Sequence, residues 1–254
     1  MTEPQHTPST PPLEPPNLPD EAHDPSREEE TWDLGDFFLL FLVQHACSFL
    51  LYGVLTAFVK DPNKEILRYF MVTATLISNI VLVAFYVVRA RLVKRISWEK
   101  LGWRWTSPQN VLYWGVVFFV MVFLFNYIYQ ILLTYFELGQ PRQEIASFFG
   151  PSQPFLLKAL ALFLVVVGAP LAEEVLYRGV MFTALKRVAS PHTAAIIAGL
   201  VFGAIHFEWR TIIPLGFLGY LLCLTYHYTR SLWLCIALHT LNNALAFAFL
   251  LYFK

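Results

Sequence analysis

Charge is scarce in this 254-residue chain. Charged residues make up 14% of it, where a soluble domain carries about 25%, so a water-facing globular surface cannot be built from them. Basic and acidic residues number 18 each, and a net charge of zero removes the electrostatic case for nucleic acid as a partner. Cysteine is nearly as scarce. Cys47, Cys223 and Cys235 stand far apart in apolar runs and form neither a metal-binding pattern nor a disulfide framework. Three hydrolase signatures are missing too: there is no His-Glu-x-x-His zinc helix, no Gly-x-Ser-x-Gly nucleophile turn, and no aspartate pair within an apolar segment. Asp33 and Asp36 stand only at the start of the first one.

What the chain has in abundance is apolar surface, 57% of its residues, gathered in long runs. Runs of 18 or more are transmembrane candidates, because a hydrocarbon core about 30 Å thick needs roughly 20 helical residues. Seven apolar segments run over about 34–59, 66–90, 108–136, 154–187, 192–208, 211–229 and 231–252. The fold class is therefore all-α, a polytopic transmembrane helix bundle of seven or eight helices. The count is open because the fourth segment is long and interrupted by Gly168-Ala169-Pro170, and proline removes a helix hydrogen bond and clashes with the preceding turn. A break or kink is expected there. Residues 1–30 hold half of the sixteen prolines and end in Glu28-Glu29-Glu30. With no apolar periodicity they read as a disordered tail that lacks the features of a secretory signal. The organisation is a tail over 1–30, N-terminal transmembrane helices over 31–153 and a core over 154–254.

Arg89, Arg91, Lys94, Arg95, Lys100 and Arg104 are interleaved with Trp98, Trp103 and Trp105, a pairing that the cytoplasmic interface favours. Placing this loop inside puts the N-terminus, Lys186-Arg187 and Arg230 on the same side, against which Lys60, Lys64 and Arg68 fall outside. The protein reads as an integral multi-pass membrane protein, of the plasma (inner) membrane if bacterial, with its N-terminus cytoplasmic.

An ionisable residue within a span costs about 2.5–3.5 kcal/mol on insertion scales, and the apolar segments nonetheless hold several. Glu174 and Arg178 are four apart and share a helix face. A neutralised interhelical pair explains them but leaves adjacent Glu173 without a local partner, and two carboxylates in a low dielectric suit a proton acceptor. Phe202-Gly203-Ala204-Ile205-His206 places a histidine near the end of the fifth segment, where a packing role is the more common one, and Gly199 and Gly203 form a small-xxx-small pair that permits close helix approach. In the last segment His239 and Asn243 lie one turn apart on one face; a polar interhelical ladder would explain them equally well. Together, though, they supply a base, a partner for it, and donors for a developing oxyanion. His45, Asn79, Asn126 and His227 have no such companions and read as packing or interface groups, and Glu208 with Trp209 as an interface.

These motifs resemble those of the CPBP family of intramembrane peptidases, also called the Abi or CAAX-protease family, which includes the Ras-converting CAAX endopeptidase. The pattern is two glutamates followed by arginine, then Phe-x-x-x-His, then His-x-x-x-Asn, met here by Glu173-Glu174 with Arg178, Phe202 with His206, and His239 with Asn243. The match covers about residues 154–250. The resemblance implies peptide-bond hydrolysis on membrane-associated peptides or proteins, prenylated ones included, within or at the edge of the lipid bilayer. Glu173 and His206 would activate water, His239 and Asn243 would stabilise the oxyanion, and Glu174 with Arg178 would support the site. An older family description is a metalloprotease, for which Glu173, His206 and His239 would be the zinc ligands with water in the fourth position; the cofactor-free version is favoured, since Asn243 beside His239 suits donors better than a ligand cage. Two other classes stay open: a non-catalytic scaffold or bacteriocin-immunity-type protein, and a transporter using the buried groups as a proton relay, which predicts an internal repeat that the chain does not display.

Overall fold

The computed structural model of the chain describes residues 31–60, 63–139 and 144–252; the tail over 1–30 lies outside them. Among the described residues there are seven long helices and no strand: α1 (Leu34–Phe58), α2 (Lys64–Val93), α3 (Pro108–Tyr135), α4 (Phe155–Leu185), α5 (Pro191–Ala204), α6 (Trp209–Thr229) and α7 (Leu232–Tyr252). Six are long and apolar enough to cross a membrane, and α5, with 14 residues, is shorter. Local chemistry sets their starts. Asp33 caps α1 in a reciprocal box with Asp36, and Asn63 caps α2. Ser107 and Ser190 cap α3 and α5, each followed by proline in the first turn, where the missing N–H would have been unsatisfied anyway.

The fourth segment does not break. α4 runs unbroken for 31 residues, with π-helical turns at Leu164–Gly168 and Val175–Phe182. The first π turn is how the helix absorbs Pro170. The N–H of Ala169 reaches back to the Leu164 carbonyl, so the next carbonyl, that of Val165, faces a proline with no hydrogen to offer. Asn243 Nδ2 on α7 donates to that carbonyl at 3.0 Å instead. α6 repeats the device at Pro214. In a regular helix Pro214 would have served the Arg210 carbonyl, and Tyr129 Oη on α3 donates to it at 2.8 Å. Each interior proline frees a carbonyl, and another helix fills it.

The core is wound around α4, whose residues Val175–Phe182 are all buried. The closest helix pair is α5 with α6. A Cβ on Gly203 would fall against the Ile212 carbonyl and 2.9 Å from the Gly216 nitrogen, and one on Gly199 would come within 2.8 Å of the Tyr220 nitrogen. The backbones meet there without side chains between them. Gly203→Val should therefore force the pair apart and cost about 1–3 kcal/mol, read as a lower thermal unfolding midpoint in detergent.

At the end bearing the basic loop, Asp36 is fully buried and held by Arg89, whose Nε donates at 2.6 Å, and by Lys94. This ties the start of α1 to the end of α2 and accounts for an acidic residue that has no part in chemistry. Gln44 donates to Asn79 at 2.8 Å and Ser48 bonds Ser78 at 2.8 Å, joining the same two helices at depth. His45 bonds the Phe41 carbonyl and Asn126 the Val122 carbonyl, both local packing roles.

Candidate active site

α4 carries two adjacent carboxylates into different surroundings. Glu174 is completely buried, and so is Arg178 one turn on. Arg178 Nη1 donates to Glu174 Oε1 at 2.9 Å and Nη2 donates to the Gly219 carbonyl of α6 at 3.2 Å. That second bond is possible because α6 presents bare backbone where α5 crosses it. His239 on α7 completes the chain, its Nδ1 lying 2.7 Å from the same Glu174 Oε1. A carboxylate can only accept from a ring nitrogen unless it is itself protonated, so this bond places the hydrogen on Nδ1 and fixes the ring's orientation. Nε2 of His239 then points to Glu173, 3.7 Å from its Oε2. That is too long for a direct hydrogen bond and wide enough for a water between the two groups. The Glu173 side chain, unlike that of Glu174, keeps 23% of its surface exposed.

Phe202 of α5 is the hub around which these groups sit. Its fully buried ring meets the Tyr177 ring edge-on at 5.2 Å, the Arg178 guanidinium at 5.0 Å, the His239 ring at 5.8 Å and the His206 ring at 5.1 Å. A large planar residue with an apolar body and a quadrupole suited to cations separates the two histidines and sets their spacing.

The sequence places all six polar residues in apolar segments, and the structure distributes them unevenly. Glu174, Arg178 and His239 form a buried, directly bonded set, with Glu173 at its edge. His206 lies beyond the end of α5, in the turn before α6, and is exposed. Its Nδ1 bonds the Phe202 carbonyl at 2.9 Å, which leaves Nε2 as the acceptor in the neutral ring. Among the described residues the carboxylate–imidazole contacts within 4.0 Å run from His239 to both glutamates. Asn243 is half-buried; one hydrogen of its amide serves the Val165 carbonyl, and its Oδ1 accepts from Asn242 at 3.3 Å, so one N–H remains. Two partners of the site were not anticipated from the sequence. The Gly219 carbonyl carries no local signal; the Val165 carbonyl was signalled by Pro170.

Among the described residues no three His, Cys, Asp or Glu side chains are grouped to hold a metal ion. His239 Nδ1 is engaged by Glu174 and His206 Nδ1 by a backbone carbonyl, so Nε2 is the remaining nitrogen of each ring.

The segment carrying this geometry is also the one with known relatives. Residues 155–245 match the model of the type II CAAX prenyl endopeptidase Rce1-like family. The chain is 27% identical over 146 residues to the membrane-embedded CAAX protease MroQ of Staphylococcus aureus (strain USA300), covering 54% of this chain and 57% of that one. It is 24% identical over 90 residues to the Bacillus subtilis (strain 168) protein YdiL, whose name describes it as a membrane peptidase, covering 35% of this chain and 37% of that one. The chain thus spans little more than half the length of one curated relative and a smaller share of the other. No solved structure matches it significantly. The motifs, the helix that carries the paired glutamates and the family model coincide on the same residues, and through residues 155–245 this chain is similar to the CAAX-type (CPBP) membrane peptidases.

Proposed function

We propose that the chain is an intramembrane endopeptidase that hydrolyses peptide bonds of membrane-associated proteins or peptides, prenylated ones among them, using water activated by Glu173 and His206. The observation that carries this reading is the placement of Glu173, half open, against a histidine held by a buried Glu174–Arg178 pair, 3.7 Å away and within an apolar bundle. A pair placed there solely for packing would not hold a second carboxylate apart from it.

In the proposed reaction Glu173 accepts a proton from water, with His206 Nε2 as the partner acceptor across Phe202. The water oxygen bonds to the scissile carbonyl carbon, and the carbonyl π electrons move onto oxygen. In its charged form His239 balances the two carboxylates together with Arg178, and its Nε2–H then donates to that oxyanion beside the remaining amide hydrogen of Asn243. Collapse of the intermediate breaks the C–N bond, and the proton held by Glu173 passes to the leaving amine. Removing water from around such donors strengthens each interaction, which is the physical advantage of a membrane-enclosed site.

The reading is metal-free because Asn243, with one amide N–H left beside His239, suits an oxyanion donor better than a ligand cage. Cleavage of a membrane-anchored peptide by the purified chain should survive thorough chelation, with no stoichiometric zinc on elemental analysis. Activity lost on chelation and restored by zinc would overturn this mechanism.

A further inference from the structure

Tyr177 of α4 carries a hydroxyl that the fold does not use. The residue is 1% exposed, and its ring is held edge-on between Phe37 of α1 at 5.9 Å and Phe202 of α5 at 5.2 Å. Its Oη is fully buried and has no hydrogen-bond partner among the described residues. An unpaired buried hydroxyl is destabilising, and phenylalanine would fill the same space without one. Packing therefore accounts for the ring and leaves the oxygen unexplained. Tyr177 also stands in the π-helical stretch Val175–Phe182, a departure from regular helix that recurs at functional sites.

Glu173 has the complementary deficit. It stands one turn before Tyr177 on the same helix face, and aromatic side chains on a helix lean back over the preceding turn, here the one that carries Glu173. Of the two glutamates it is Glu173, and not Glu174, whose charge acts on the phenol. Its carboxylate has His239 Nε2 at 3.7 Å, beyond hydrogen-bond reach, and accepts no hydrogen bond from another described residue. A free donor and a free acceptor thus face one another across a single turn. The ring is held from two sides, whereas the Glu173 side chain keeps 23% of its surface open, so the carboxylate is the partner that can move.

We propose that Tyr177 is a positioning residue for Glu173: its O–H donates to one carboxylate oxygen when substrate occupies the site, leaving the other oxygen aimed at the water. This rests on Glu173 being the proton acceptor, as proposed above. Substrate displaces water from the open side of Glu173, and a carboxylate stripped of water gains most from a nearby donor. The hydroxyl keeps its proton throughout.

Tyr177→Phe removes the oxygen and keeps the ring between Phe37 and Phe202. In lipid discs, with a farnesylated, fluorescence-quenched decapeptide as probe, kcat should fall about tenfold, with KM unchanged and the thermal midpoint unchanged or higher. In a Glu173→Gln background the same substitution should have no further effect, because the phenol acts only through that carboxylate. Full kcat in Tyr177→Phe beside an inactive Glu173→Gln would overturn the inference and leave the peptidase reading standing. A midpoint that fell together with kcat would make the hydroxyl structural and overturn it as well. Infrared difference spectroscopy reads the contact without turnover. The carboxylate stretch that Glu173→Gln removes should shift when the probe is added to wild type, recorded before cleavage, and should not shift in Tyr177→Phe. A band that stays in place in wild type, or moves equally in both proteins, overturns the inference even where Glu173→Gln cleaves as well as wild type and the peptidase reading itself is lost.

Discussion

Glu173→Gln is expected to lower kcat for cleavage of a membrane-anchored peptide by about 10²–10⁴-fold, the usual contribution of a general base, while leaving the unfolding midpoint of the protein unchanged. The substitution keeps the shape of the side chain and removes only its capacity to take a proton. Little of the fold depends on that capacity. The carboxylate is 23% exposed and its ionic neighbour, His239 Nε2, is 3.7 Å away, beyond hydrogen-bond reach. Purified wild type and variant in lipid discs, compared for turnover and thermal unfolding, provide the check. A variant that kept full turnover would remove Glu173 from the mechanism.

The neighbouring substitution should behave in the opposite way. Glu174→Gln leaves an acceptor for Arg178 and His239 but removes the charge that compensates a completely buried guanidinium. Breaking a buried pair by taking away one partner costs about 3–5 kcal/mol, and a guanidinium cannot relieve the loss by giving up its proton. Arg178→Met should cost less, because a carboxyl left behind can neutralise itself by taking one. The expected order of stability in denaturant titrations is wild type, then Arg178→Met, then Glu174→Gln, with activity falling alongside because His239 loses its anchor. A Glu174→Gln protein as stable as wild type would mean that the pair does not organise the site. In the proposed mechanism the adjacent glutamates separate into a group for chemistry and a group for structure, and the difference lies in what each side chain touches.

Much of the architecture was legible in local chemistry. The seven apolar runs correspond to α1–α7, because a membrane-spanning helix must satisfy its own backbone and needs an uninterrupted apolar length. Ser107-Pro108 and Ser190-Pro191 announced the starts of α3 and α5. The spacing of Gly199 and Gly203 announced a close helix contact, found against α6. What could not be read depended on distant partners. Pro170 suggests a break to any local reading; the helix continues because a side chain 78 residues away serves the orphaned carbonyl. Within the candidate site, the i,i+4 spacing brings Glu174 and Arg178 together, but nothing local says that His239 reaches both glutamates while His206 turns its Nδ1 to its own helix. His206 also falls past the end of α5, so it is exposed where the apolar run around it suggested burial. The Asn243 amide has two tasks available, closing the proline gap and facing an oxyanion, and its spacing from His239 suggested only the second.

The proposal as a whole rests on the claim that the buried set around Glu173 hydrolyses peptide bonds in the membrane. The most direct measurement compares, by mass spectrometry, the peptide termini in membranes that carry either the wild-type chain or Glu173→Gln at equal abundance. New termini on membrane-associated proteins or peptides should occur with the wild type and vanish with the variant. Identical sets of termini in the two membranes would contradict a peptidase role for this site.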